Sequence, residues 1–103
     1  MDKERNEEIE LFVEKLKKEI NIEEFILFGS RARGDNLENS DVDLIIVSKD
    51  FRGIPFFERM DKLILLWDSP LDLEVLCYTP EEFEEKKKEI GIVREALKDG
   101  IEL

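Results

Sequence analysis

Gly29, Ser30, Asp41 and Asp43 have the types and spacing that chemistry at a phosphate requires. Gly29-Ser30 follows a wholly apolar run, Phe25-Ile26-Leu27-Phe28, and opens a turn. Glycine lets the backbone approach a phosphate closely. Successive amide N–H groups at a helix start favour anions, and the Ser30 hydroxyl adds one more donor. Further along, Asp41 and Asp43 stand two apart at the mouth of a second apolar run, Leu44-Ile45-Ile46-Val47. In an extended chain, residues i and i+2 share a face. Two carboxylates held so close repel each other unless a cation sits between them. Mg²⁺ suits that place, because it takes oxygen ligands and shares its shell with substrate phosphates. Either half alone is commonplace: a strand-to-helix turn capped by Ser30, or a solvated strand start. Together they point to metal-assisted chemistry on a phosphate.

Two further groups extend the pattern. Arg31 and Arg33 lie in the same turn, and arginine makes forked contacts to phosphate. In a chain of net charge −11 they form a local positive spot. The competing use for them is surface pairing with Asp35 or Glu38. Gly34 shapes the loop, and Ser40 caps the Asp turn. Within Pro70-Leu-Asp-Leu-Glu-Val-Leu-Cys-Tyr, Asp72 and Glu74 share one face while Leu71, Leu73 and Val75 take the other. Acids in so apolar a strand are costly unless paired or metal-bound.

The elements that must position these groups follow from periodicity. Ile9, Phe12, Val13, Leu16 and Ile20 recur at helical spacing and predict an amphipathic helix over roughly residues 3–20. Asn21 is its expected stop, in the left-handed conformation that Asn tolerates. Residues 25–28 and 43–47 predict strands buried on both faces, with a helical turn over 30–33 between them. Pro55 is expected to open a helix whose inner face is Phe56, Phe57, Met60, Leu63, Ile64 and Trp67. Those aromatics read as core, whereas Phe51 sits in a loop and is harder to explain that way. Leu71–Tyr78 predicts a third strand. Thr79-Pro80-Glu81-Glu82 is a capping box that starts a charged helix, with Glu82/Lys86 and Glu84/Lys88 at favourable spacing. Gly91 interrupts it. Ile92, Val93 and Leu97 predict a short terminal helix, and residues 101–103 a short edge strand. Strands alternating with helices predict a layered α/β domain. The strand pairing itself is not legible from periodicity, and residues 83–103 show no chemistry.

The bulk numbers bound the function. The 103 residues are expected to form one domain with one modest core. Apolar and charged residues each make up 42%. The acidic balance argues against a grip on extended nucleic acid, which favours a basic face, but not against a metal-chelated nucleotide. The single Cys77 excludes an internal disulfide and a multi-Cys zinc site; it reads as a buried, inert thiol. No run reaches a membrane-spanning length and the first residues lack a signal-peptide core, so a soluble cytoplasmic protein is expected.

Residues 29–47 resemble the signature of the DNA polymerase beta-like nucleotidyltransferase superfamily. The short chain looks like the minimal, MNT-type nucleotidyltransferases of prokaryotes. The resemblance covers nearly the whole chain, with its specific motifs between Gly29 and Asp43. It implies a small mixed β-sheet packed by helices. It also implies a third carboxylate on a neighbouring strand. Asp72 has the residue type usual in the family, while Glu74 better fits the spacing back from Tyr78-Thr79-Pro80. The implied reaction is Mg²⁺-dependent transfer, with two ions, of a nucleoside monophosphate to an acceptor hydroxyl. The donor is a nucleoside triphosphate, ATP first. Asp41, Asp43 and Glu74 are the implied metal ligands, with Asp72 the alternative catalytic acid. Gly29, Ser30, Arg33 and Arg31 hold the triphosphate. Minimal domains of this look often pair with a separate helical HEPN protein as antitoxin and toxin, and some add AMP to a tyrosine of that partner. With no second domain expected to hold a template or small substrate, a protein acceptor is the first expectation and a small molecule the second. The rival from another class is a non-catalytic module that neutralises its partner by contact.

Overall fold

Continuous apolar runs demand cover on both sides, and the fold supplies it. The computed structural model describes residues 3–34 and 41–103. Helix α1 (Lys3–Glu19) leads into strand β1 (Glu24–Phe28), a single helical turn α2 (Ser30–Arg33) and strand β2 (Val42–Val47). Three short 3-10 turns follow, at Lys49–Phe51, Phe56–Glu58 and Leu63–Leu66. Strand β3 (Leu73–Tyr78), helices α3 (Pro80–Lys88) and α4 (Ile92–Asp99) and the two-residue strand β4 (Ile101–Glu102) complete the chain. The sheet order is β3-β2-β1-β4. β2 runs parallel to β3 and antiparallel to β1, and β4 is antiparallel to β1.

Alternation sorts the strand side chains onto two faces. Phe25, Leu27, Val42, Leu44, Ile46 and Cys77 pack under Ile9, Phe12, Val13 and Leu16 of α1. Ile26, Phe28, Ile45, Val47 and Tyr78 pack against Phe83 of α3 and Val93 and Ala96 of α4. Asp43 and Glu74 have the parity of this second face. Burial of Cys77 pushes its thiol up to about 12, as an inert core thiol requires. Among the described residues no helix is long and apolar enough to cross a membrane.

Three expectations change. The segment after Pro55 is not one helix. It is two 3-10 turns, and Phe57 is 90% and Leu65 83% exposed. The cause is Arg59, whose buried guanidinium bonds Ile54 O and Cys77 O at 2.9 Å each and grips both Glu82 carboxylate oxygens, at 2.5 and 3.1 Å. These tethers hold the chain against β3 and α3 where a continuous helix would swing Arg59 away. Phe51 is core after all, 2% exposed. α1 does end before Asn21, but among the described residues no non-glycine residue has positive φ. Asn21 instead donates its backbone N–H to Asp50 at 2.8 Å.

The capping box forms as expected. Thr79 Oγ1 accepts from Glu82 N, and Glu82 Oε1 accepts from Thr79 N. Glu82 therefore pairs with Arg59 rather than Lys86, and Glu84 with Lys87 rather than Lys88. Strand β3 starts at Leu73, two residues after the expected point, and Ser40, Asp35 and Glu38 lie outside the described residues.

Arg59→Met keeps most of the side-chain length but removes every donor, so stability should fall by about 2–3 kcal/mol. Its hydrogen bond holds the Glu82 carboxyl down at about 2, against an ordinary 4.5. A depressed folded-state value stabilises above pH 4.5 and is lost as the pH falls toward 2. The variant's melting temperature should fall less steeply than the wild type's across that window. Parallel Tm–pH profiles would refute the assignment.

Candidate functional site

The parallel β2–β3 pair starts both strands at the same end of the sheet, and antiparallel β1 finishes there. The Gly29 turn and the acid-bearing strand starts therefore meet. In the ladder Asp43 is opposite Glu74 and also opposite Phe28, the residue before Gly29. Gly29 adopts φ 77° and ψ −157°, backbone that a side chain makes strained. A Cβ placed on it would strike the Asp43 carboxylate. The absence of a side chain at Gly29 is what lets the turn lie directly on that carboxylate. Gly34, at φ 82°, ends α2 by donating its N–H to Ser30 O at 2.9 Å.

Asp43 titrates far from its usual value. Burial, the charge of Glu74, a hydrogen bond between the two carboxyls and the charge of Asp41 raise it to about 6, with Arg33 pulling the other way. Asp41 itself lies just before β2 and is exposed. Asp72 is outside β3: its carbonyl accepts Val42 N–H at 2.9 Å, and its side chain is exposed. Of the two candidates for a third acid, the ladder thus sets Glu74 against Asp43.

The two arginines of α2 part company. Arg33 is exposed and acts electrostatically on Asp43. Arg31 is only 2% exposed, among the largest fully buried side chains. Its partners expected in the sequence, Asp35 and Glu38, lie outside the described residues.

A divalent cation fits this donor set. Oxygen-only ligands stand close enough for the charge of Glu74 to help raise the Asp43 carboxyl, a repulsion that a cation would relieve. Asp43 and Glu74 would hold it, with Asp41 beside them. Among the described residues no three acids form a ready-made metal cage.

A family model described as "Nucleotidyltransferase domain" matches residues 7–100. The chain belongs to that family. The nucleotidyltransferase domain is also similar in structure to a Sulfolobus solfataricus protein assigned as a nucleotidyltransferase. That crystal structure superposes with a TM-score of 0.63 at 25% identity, covering 92% of this chain and 80% of the other. No curated protein matches the sequence. The expected small mixed sheet packed by helices is the observed fold, and transfer of nucleotidyl groups from a nucleoside triphosphate is the activity of such domains. Nucleotidyltransferase domains generally use divalent metals.

Periodicity missed one part of this region. Phe28, Gly29 and Arg33 face Ile92, Glu95, Ala96 and Asp99 of α4 across a hollow of about 230 Å³. The i, i+3, i+4, i+7 spacing of those α4 residues was readable as one helix face; what it would face was not.

The third acid is open to a direct comparison. Glu74→Gln should cut turnover much more than nucleotide affinity, and Asp72→Asn should leave turnover near wild type. The reverse pattern in side-by-side assays would move the role to Asp72.

Proposed function

We propose that this domain transfers a nucleoside monophosphate, AMP from ATP first, to a hydroxyl on a partner protein, in the manner of an MNT-type antitoxin. The observation carrying this is the Asp43–Glu74 carboxyl pair lying against the Gly29 turn. Bound Mg²⁺ would neutralise triphosphate charge and acidify the acceptor hydroxyl. The chain's own part is positioning and charge. Gly29 and Ser30 present amide and hydroxyl donors to the β and γ phosphates. Arg33 offsets the negative charge that Asp41, Asp43 and Glu74 concentrate. The acceptor oxygen bonds to the α-phosphorus as the bond to the leaving pyrophosphate breaks, and the acceptor's proton passes to a Glu74 carboxylate oxygen. Fixed geometry and preorganised charge supply most of the acceleration in such transfers.

A protein acceptor is preferred because the surface carries exposed apolar side chains for contact. Phe57 and Leu65 also favour a second reading, in which the domain neutralises a HEPN-like helical partner by binding alone. The deciding experiment incubates the domain with ATP, Mg²⁺ and such a partner, and follows pyrophosphate and the partner's mass. Gain of one AMP with stoichiometric pyrophosphate supports transfer. Tight binding with neither product supports the contact reading. Pyrophosphate release with a small hydroxylated acceptor but no change in the partner's mass would redirect the reaction to small molecules.

A further inference from the structure

Glu74 sits on the last strand of the sheet. The order β3-β2-β1-β4 gives β3 a neighbour on one side and, among the described residues, no strand on the other. The ladder fixes which backbone groups face which way. Asp72 O accepts from Val42 N and Tyr78 O from Ser48 N, at 2.9 and 3.0 Å. Successive residues of a strand turn their N–H and C=O groups to opposite sides. Asp72, Glu74, Leu76 and Tyr78 therefore turn theirs to β2, and Leu73, Val75 and Cys77 turn theirs outward. Cys77 O fits that parity, since it accepts from the Arg59 guanidinium at 2.9 Å. That contact closes the far end. Leu73 and Val75 flank Glu74, and among the described residues no backbone hydrogen bond reaches them from the outer side. Such outward N–H and C=O groups pair readily with an added strand.

A strand added there must place one residue beside Glu74. Adjacent strands lie about 4.7–4.9 Å apart, and directly opposed side chains share a face with Cβ atoms about 4.5–5.5 Å apart. The row on that face is Asp72, Glu74, Leu76 and Tyr78, and its chemistry changes along its length. Asp72 is an exposed acid. Leu76 and Tyr78 line a hollow of about 360 Å³ with Phe56, Glu82 and Lys86, where the Phe56 and Tyr78 rings lie 5.5 Å apart. The complementary strand carries, at alternate positions, a basic residue opposite Asp72, a hydroxyl opposite Glu74 and an apolar or aromatic residue opposite Leu76. Resting on the nucleotidyl-transfer reading above, we infer that the acceptor is an extended segment of a partner protein that adds to the outer side of β3 and so carries its hydroxyl to Glu74. The hydroxyl oxygen bonds to the α-phosphorus of the nucleotide as pyrophosphate leaves, and its proton passes to Glu74. Charge favours a foreign segment over a second copy. Two bodies of net −11 repel, whereas a segment with a basic residue is drawn to the acids at the start of β3. The main-chain grip is short, so specificity comes from the alternate side chains.

The test uses short blocked peptides with tyrosine, serine or threonine between two valines, lysine at one end and phenylalanine at the other, in both orders. Amide–water exchange of the isotope-labelled full chain is followed by NMR with Mg²⁺ present. At least one peptide should slow exchange at Leu73 and Val75 by about fivefold or more, the effect of one ordinary hydrogen bond. Glu74 and Leu76, already bonded to β2, should not change. With ATP added, that peptide should gain one AMP on its central hydroxyl. Methylating the peptide's backbone nitrogens should abolish both effects. Val75→Pro removes one outward N–H without taking a bond from β2. It should lose the peptide's protection of Leu73 and keep tripolyphosphate affinity. No protection by any peptide at millimolar concentration would overturn the inference. So would protection that survives methylation, or protection with no gain of AMP. AMP transfer to a folded partner or a small hydroxyl compound in those cases leaves the transfer reading standing. Slowed exchange at Leu73 and Val75 on concentrating the protein alone would give this side of β3 to a second copy and overturn the assignment. Failure of both ATP and tripolyphosphate to bind would overturn the transfer reading, and this inference with it.

Discussion

Asp43→Asn will abolish Mg²⁺-dependent transfer and at the same time make the metal-free domain harder to melt at neutral pH. The loss of rate should be about a thousandfold or more, the scale of removing a preorganised charge from a transfer site. The gain in stability follows from the raised carboxyl. Folding lifts Asp43 from 3.8 to about 6, so the native state binds the proton more tightly than the unfolded chain does. Ionising it therefore destabilises the fold, with a penalty that begins above pH 3.8 and is complete above 6. Asparagine never ionises and escapes it. Discounted for solvent screening at a half-buried group, the relief is about 1–2 kcal/mol at pH 7. In a domain of this size that raises Tm by about 5 °C or more. At pH 4 the two proteins should melt nearly together. Mg²⁺ should raise the wild-type Tm by binding the native state and leave the variant's unchanged. A variant that retains turnover, or melts lower at pH 7, would remove Asp43 from the centre of the site.

Gly29→Val should be nearly as damaging to activity, and damaging to stability too. Its Cβ lands on the Asp43 carboxylate, and its backbone angles are strained for any side chain. The two effects together should cost about 2–3 kcal/mol or more. The turn must then move off Asp43, and the branched side chain closes the approach of phosphate to the main chain. Gly34 provides the control. It too has positive φ, but a Cβ there meets nothing within 4 Å. Asparagine tolerates that left-handed backbone, so Gly34→Asn should keep triphosphate affinity and lose less than about 1 kcal/mol. Equal nucleotide titrations for Gly29→Val and wild type would make the turn merely structural.

Local chemistry was readable and distant partnership was not. Thr79 and Glu82 lie within one helical turn, so their capping box could be read directly, as could the buried stripe of α1. Arg59 is different: its partners at Cys77 and Glu82 come from later elements, and no pattern around residue 59 announces them. That single tether turned an apparently helical apolar spacing into two tight turns with Phe57 in water. The acids show the same limit more sharply. A period of two places Asp72 and Glu74 on one face, and sliding β3 by two residues against β2 would preserve that alternation. Only the observed pairing, Val42 N–H to Asp72 O with Asp43 opposite Glu74, separates them. α4 looked inert because its place beside Gly29 is a fact of packing.

The last strand is very small, yet it has a protective consequence. Ile101–Glu102 pairs with Leu27 and Ile26, and Leu103 donates its N–H to Phe25 O at 2.8 Å. Without those few bonds the outer edge of β1 would be bare, exposing the main chain of Phe25-Ile26-Leu27-Phe28. A flat, uncharged apolar edge of that kind recruits strands from other molecules. Fraying of residues 101–103 would therefore do little to the stability of one molecule and much to its solubility: the first sign of damage at this end would be concentration-dependent self-association, ahead of any loss of fold.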